Sequence, residues 1–141
     1  MMTLNKIDGT VTIDDLRIEQ TITVSEAEAF GAVMVIENNG YKTYKLNNGE
    51  NSLTFFFYKG HLERLSFILD ENYDFPPFII SGEEKIILIK ELDSIGGERI
   101  YSWGSVELSE DRKGGIISIV ITYKYGQITI VDANDVIQTS I

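Results

Sequence analysis

The sequence predicts an α+β domain: a single antiparallel β-sheet of several hairpins with two α-helices packed on one face. Three observations point there. Ile117, Ile119, Ile121 and Tyr123 alternate with Ser118, Val120, Thr122 and Lys124, the period of a half-buried strand. Turn sequences recur between apolar runs, at Asp8-Gly9, Asn47-Asn48-Gly49 and Lys59-Gly60. Two capping-box openings, Ser25 with Glu28 and Ser81 with Glu84, each precede apolar residues at helical spacing.

The chain opens with a hairpin expected from Thr3 to Ile13, turning at Asp8-Gly9, and Leu16, Ile18 and Ile22 continue in extended structure. Ala27, Phe30, Val33 and Met34 behind the first capping box predict a helix from about Glu26 to Met34. Strands follow at Tyr41–Leu46, Ser52–Tyr58 and Leu62–Leu69, with Leu53, Phe55 and Phe57 sharing one face and Phe56 set beneath a helix. Asp70–Ile80 reads as an irregular loop holding both prolines. The second helix should run from Ser81 to about Ile95, with Ile86, Leu88, Ile89, Leu92 and Ile95 on a broad apolar face and Gly96-Gly97 as its stop.

The stretch from Glu98 to Gly126 carries the only tryptophan and the most regular strand pattern. Tyr101 and Trp103 have one parity, Val106 and Leu108 the other, so a one-residue bulge at Gly104–Ser105 is expected to bring all four to one face. A loop of Ser109–Gly115 and a last strand, Gln127–Val131, complete the sheet.

The chain's 141 residues fit one domain spanning 1–141, and a chain of that size buries enough surface to need no covalent staples. With no cysteine there is no disulfide, thiolate nucleophile or cysteine-ligated metal. The same absence, with no long apolar run at the start and no membrane-length span, gives a cytoplasmic reading. Twenty-two acidic against twelve basic residues leave a net charge of −10. Such a field repels nucleic-acid phosphates and anionic membranes and favours a basic protein partner, although it also serves solubility alone.

The residues for catalysis are sparse. The single histidine, His61, sits beside a tight turn with no G-x-S-x-G motif near it. The carboxylate pairs Asp14-Asp15, Glu83-Glu84 and Glu110-Asp111 are adjacent residues in turns and at a helix start, not carboxyls held apart across a cleft. Asp70, Asn72 and Asp74 open like a calcium loop, but Phe75 replaces the required glycine and Ser81 the bidentate glutamate. No metal site and no cofactor are expected, and the chain reads as no enzyme.

Two binding readings remain. Asp70, Glu71, Tyr73, Asp74, Phe75 and Phe78 combine acids with aromatics on a proline-stiffened loop, which suits a basic partner; the plain alternative is that Phe75 and Phe78 cap the core. A small-ligand pocket between helices and sheet would instead be lined by Phe56, Tyr58, Tyr101 and Trp103, with Trp103 otherwise a core residue. A homo-oligomer is compatible with either reading.

The order Trp103-Gly104, Val106, Asp111, Lys113-Gly114, Ile119, Ile121 and Tyr123 resembles a C-terminal signature of small bacterial proteins related to the immunity proteins of contact-dependent and secreted toxin systems. The resemblance covers about the last third of the chain and carries no catalytic residue. It implies a non-catalytic, acidic protein-binding domain, an immunity-type inhibitor of a basic toxin domain.

Overall fold

Hairpins between sequence neighbours build most of the molecule. The computed structural model describes residues 2–47, 51–69, 82–111 and 116–124. Its elements are β1 (Met2–Leu4), β2 (Val11–Ile13), β3 (Leu16–Ile18), α1 (Val24–Ala29), β4 (Val33–Asn38), β5 (Tyr41–Asn47), β6 (Ser52–Tyr58), β7 (His61–Ile68), α2 (Gly82–Ser94), β8 (Arg99–Tyr101), β9 (Gly104–Asp111) and β10 (Ile116–Tyr123). They form two antiparallel sheets instead of the single one expected. β1-β2-β3 make a small sheet, and the large one runs β4-β5-β6-β7-β10-β9-β8. The strands of the small sheet have three residues each, and they pack on the large sheet as part of a second layer.

The core lies on one face of the large sheet. Leu53, Phe55 and Phe57 pair through Phe67, Leu65 and Leu62 with β7, and Ile119 and Ile121 continue the same rows on β10. A register shift opposite Phe56 and Phe57 makes Glu63 the extra residue of β7, which keeps Leu62 and Leu65 on the buried side. Against this face lie Met2, Val11, Ile13 and Ile18 of the small sheet, Ala27 of α1, and Leu88 and Leu92 of α2 with Ile95 just beyond it. Glu28 of α1 accepts a 3.0 Å hydrogen bond from Tyr44, and Lys85 of α2 pairs with Glu110 at 2.8 Å, so both helices reach side chains of the core-facing parity.

The first helix is shorter than expected. Thr23, not Ser25, caps it: its side chain accepts from the Glu26 N–H at 3.1 Å while Glu26 accepts from the Thr23 N–H at 2.9 Å. The chain takes φ 105° at Gly31, and Val33 and Met34 belong to β4. Their apolar spacing fits a helix and a strand equally, but a Val-Met-Val-Ile run is β-branched at three of four positions, which favours strand. Asn39-Gly40 and Lys59-Gly60 form two-residue turns with positive φ at both positions, the twist that hairpins prefer.

The expected bulge at Gly104–Ser105 is absent. β9 pairs with β10 without interruption from Tyr123↔Gly104 to Ile116↔Asp111, so Ser109, Glu110 and Asp111 extend the strand and do not open a loop. Tyr101 pairs with Gly104, which makes Ser102 and Trp103 the turn of a β8–β9 hairpin. A Cβ on Gly104 would lie 1.8 Å from the Thr122 carbonyl oxygen, so only glycine permits this close pairing. The first hairpin also departs from expectation, with a longer connection in which the Asn5 N–H donates to Thr10 O and the Gly9 N–H to Asn5 O, both at 2.8 Å. On α2 the buried residues are Leu88 and Leu92, while Ile86 and Ile89 point outward. The Ser81 cap, the Asp70–Ile80 loop and the Gln127–Val131 strand lie outside the described residues.

Trp103 ties the two sheets together. Its indole N–H donates to the Lys6 carbonyl at 2.9 Å, and the Tyr123 hydroxyl donates to the Gly9 carbonyl at 3.0 Å. Tyr101 stacks on the indole at 5.0 Å between ring centroids, and Tyr123 leans on it at 5.6 Å. Gly9, at φ 77°, lies so close that an added Cβ would stand 2.6 Å from the ring. Gly9→Ala should therefore cost about 3 kcal/mol or more, combining backbone strain with overpacking. Urea unfolding followed by Trp103 fluorescence measures this, and a loss below about 1 kcal/mol would show that the loop does not hold the indole.

Burial holds the Tyr123 phenol protonated well above the ordinary tyrosine range, with the Asp8 carboxylate adding to the effect. The folded state thus keeps a proton that the unfolded chain releases, and stability must fall as pH rises. Tyr123's contribution is complete below about pH 10 and is lost progressively above it, toward the folded-state value. Tyr123→Phe should be about 1 kcal/mol less stable at pH 7, through the lost hydrogen bond to Gly9, and should show a shallower alkaline decline. Parallel pH–stability curves for the two proteins would contradict this.

Candidate protein-interaction surface

The large sheet is wider than the layer that covers it. Among the described residues β4 lies at its edge, paired only with β5, and all six of its residues are exposed. Val33 is 67%, Met34 46%, Val35 55% and Ile36 58% accessible, so four consecutive apolar side chains meet solvent. Soluble proteins normally protect such an edge with charge, proline or a covering element. Here a register shift between Met34 and Ile36 leaves Val35 unpaired with β5, and Glu37 and Lys42 form a loose ion pair at 3.9 Å.

The pairing with β5 divides these side chains between faces. Met34 pairs with Tyr44 and Glu37 with Lys42, on the side of the helices. Val33 pairs with Lys45 and Ile36 with Thr43, on the opposite face. On that face Tyr41 and Tyr58 are direct cross-strand partners with ring centroids 4.5 Å apart, and the Lys59 ammonium lies 5.3 Å from the Tyr58 centroid. Phe56 shares the face, and the Arg64 guanidinium stacks over it at 4.5 Å. The result is an apolar and aromatic band, Val33, Ile36, Tyr41, Tyr58 and Phe56, rimmed by cations. Aromatic rings held rigidly by neighbouring strands are the side chains that carry energy at protein interfaces.

The sequence-predicted residues fall in separate places. Phe56 and Tyr58 are half-buried on this open face, and Phe56 lies under Arg64, not under a helix. Tyr101 and Trp103 stand on and beside β8, at the other end of the strand order, within the cluster that holds the Gly9 loop. The four are thus not gathered around one pocket. The loop residues Asp70, Glu71, Tyr73, Asp74, Phe75 and Phe78 all lie outside the described residues. His61 is exposed at the start of β7. Among the described residues no three histidine, aspartate or glutamate side chains come together as metal ligands, and no helix is long and apolar enough to cross a membrane. Sequence reasoning misses the β4 edge because its apolar spacing also fits the end of the first helix; the Val33–Ile36 run ahead of Asn39-Gly40 is the signal that marks it.

No protein-family model matches the chain, and no curated protein matches it. Among solved structures, it is similar in fold to a chain of "Rhs1-CT in complex with cognate immunity protein RhsI1". That likeness has a TM-score of 0.59 at 14% sequence identity and covers 89% of this chain and 88% of the other. It defines the class as an α+β fold found in a complex of that kind.

If the β4 side chains are as free as their exposure indicates, Val33→Thr and Ile36→Thr should each change stability by less than about 0.5 kcal/mol. Denaturant titration checks this. A loss above about 2 kcal/mol would mean that the edge is covered in solution.

Proposed function

We propose that this chain is a non-catalytic, acidic protein-binding domain, an immunity-type inhibitor of a basic bacterial toxin domain acting in the cytoplasm. The observation that carries the reading is the bare apolar edge of β4, continuous with the aromatic band across Tyr41, Tyr58 and Phe56. An exposed patch of several apolar residues on a soluble protein marks an interaction site. The net charge of −10 supports a basic partner by accelerating encounter and disfavouring nucleic acid. Fold likeness to a chain from a complex with an immunity protein supports the same reading.

Affinity capture of the tagged chain from its host lysate, at low and high salt, tests the proposal. The expected result is a stoichiometric basic protein whose retention weakens with salt. Ile36→Lys with Val33→Lys should abolish capture while leaving the fold intact. Charge reversal at Asp70, Glu71 and Asp74 should weaken capture without lowering the melting temperature by more than a few degrees. Recovery of only a second copy of the chain would replace this reading with a homo-oligomer.

A further inference from the structure

On the open face of the large sheet, Phe56 and Tyr58 occupy alternate positions of β6, so their rings stand about 7 Å apart along the strand. Each ring carries a cation. The Arg64 guanidinium lies 4.5 Å from the Phe56 centroid, and the Lys59 ammonium 5.3 Å from that of Tyr58. Both cations belong to exposed residues. Among the described residues neither forms an ion pair, in a chain with 22 acidic residues to 12 basic. Glu63, the extra residue of the β7 bulge, adjoins Arg64 in sequence without pairing with it.

We propose that these two cations receive an extended segment of the partner protein with acidic side chains at alternate positions. The inference rests on the protein-binding reading and names what the partner lays on this face. The net charge sets the sign of the partner as a whole, whereas Arg64 and Lys59 set the sign of the segment that meets the band. Spacing follows from strand geometry: alternate residues of an extended chain share one side and lie about 7 Å apart, as the two rings do. Adjacent acids point to opposite sides and engage one cation at most. Strength follows from how the cations are held. A guanidinium stacked on a ring has its planar fork already oriented, so it donates to a carboxylate with little further ordering. Salt screens the acidic remainder of the surface beyond about 8 Å, so two carboxylates seated here respond to the local sign. A nucleic-acid strand carries its charge past the band onto that acidic surface, and Arg64 and Lys59 already occupy the rings where bases would stack. Tyr41 beside Tyr58, and Ile36 and Val33 beyond it, supply apolar surface for the rest of the segment.

The blocked peptide acetyl-Thr-Glu-Thr-Glu-Thr-amide, titrated into the isotope-labelled full chain and followed by amide NMR, tests the pair without any partner. Saturable shifts centred on Phe56, Tyr58, Lys59 and Arg64 are expected. Its glutamine counterpart, close in shape but uncharged, should bind about tenfold more weakly. The isomer acetyl-Thr-Glu-Glu-Thr-Thr-amide, with its acids adjacent, should bind several-fold more weakly at equal charge. Arg64→Gln with Lys59→Asn should remove both differences. Both residues are exposed, and asparagine tolerates the φ of 50° found at Lys59. Arg64→Lys, which keeps the charge but not the fork, should by itself weaken the alternating peptide several-fold. Absence of saturable shifts, equal binding of either control peptide, or differences that survive in the double variant would each overturn the proposal. Tighter binding of a thymidine hexanucleotide at the same residues would overturn it as well. The outcome is independent of the capture experiment. A captured partner whose affinity is unchanged by the double variant would remove the role of the two cations and leave the protein-binding reading standing.

Discussion

The indole of Trp103 is the constraint on which the two-layer arrangement depends. A three-stranded sheet of three-residue strands has little stability of its own and must dock to persist. Its docking is fixed at the β8–β10 end by two hydrogen bonds that cross almost the whole sequence, Trp103 to Lys6 and Tyr123 to Gly9. Both use carbonyls of the β1–β2 connection, so an irregular loop is held by one side chain from the β8–β9 turn and one from β10. The indole is buried with its polar N–H satisfied, the condition under which an aromatic of this size contributes its full burial. Because Gly9 touches the ring directly, the loop's conformation and the tryptophan's position are determined together.

Once the small sheet and the helices are placed, the large sheet is left asymmetrically covered. Phe55, Phe57, Leu65 and Ile119 are sealed beneath the second layer, while β4 extends past it. The open face near that edge carries Tyr41, Tyr58 and Phe56, each braced by a neighbour: tyrosine on tyrosine, lysine on tyrosine, arginine on phenylalanine. Bracing of this kind lowers the entropy lost when a partner arrives, which makes the band better suited to binding than loosely held side chains would be. A cleft beside Leu46 lies just past the point where the pairing of β4 with β5 ends.

Much of this is legible in the residues themselves. The strands expected at Tyr41–Leu46, Ser52–Tyr58 and Leu62–Leu69 match β5, β6 and β7 closely, because period-two alternation and Lys59-Gly60 leave little choice. The inward set Ile117, Ile119, Ile121 and Tyr123 is buried as its alternation requires, but Ser118 and Val120, expected on the wetter side, are buried as well. Val33 and Met34 are misread as helical because three- and four-residue apolar spacing does not separate a helix from a strand entered after a glycine. Trp103 is the core residue expected, but the bulge beside it is misread for a related reason. Parity within Tyr101–Leu108 can be repaired by a bulge or by a turn, and the choice rests on the close approach of Gly104 to Thr122 across the hairpin.

Alone, the sequence determined local matters: which runs are strands, where tight turns fall, the acidic balance, and the lack of thiol chemistry. These follow from backbone sterics, side-chain period and composition, which act over a few residues at a time. Tertiary structure decided that there are two sheets, that Phe56 and Tyr58 part company with Tyr101 and Trp103, and that β4 stands uncovered. It also placed Asp14 and Asp15 over a cleft formed with Leu46 and Leu53, residues far along the chain. Such features depend on which surfaces meet, and burial is a property of pairs of distant segments that no local pattern encodes.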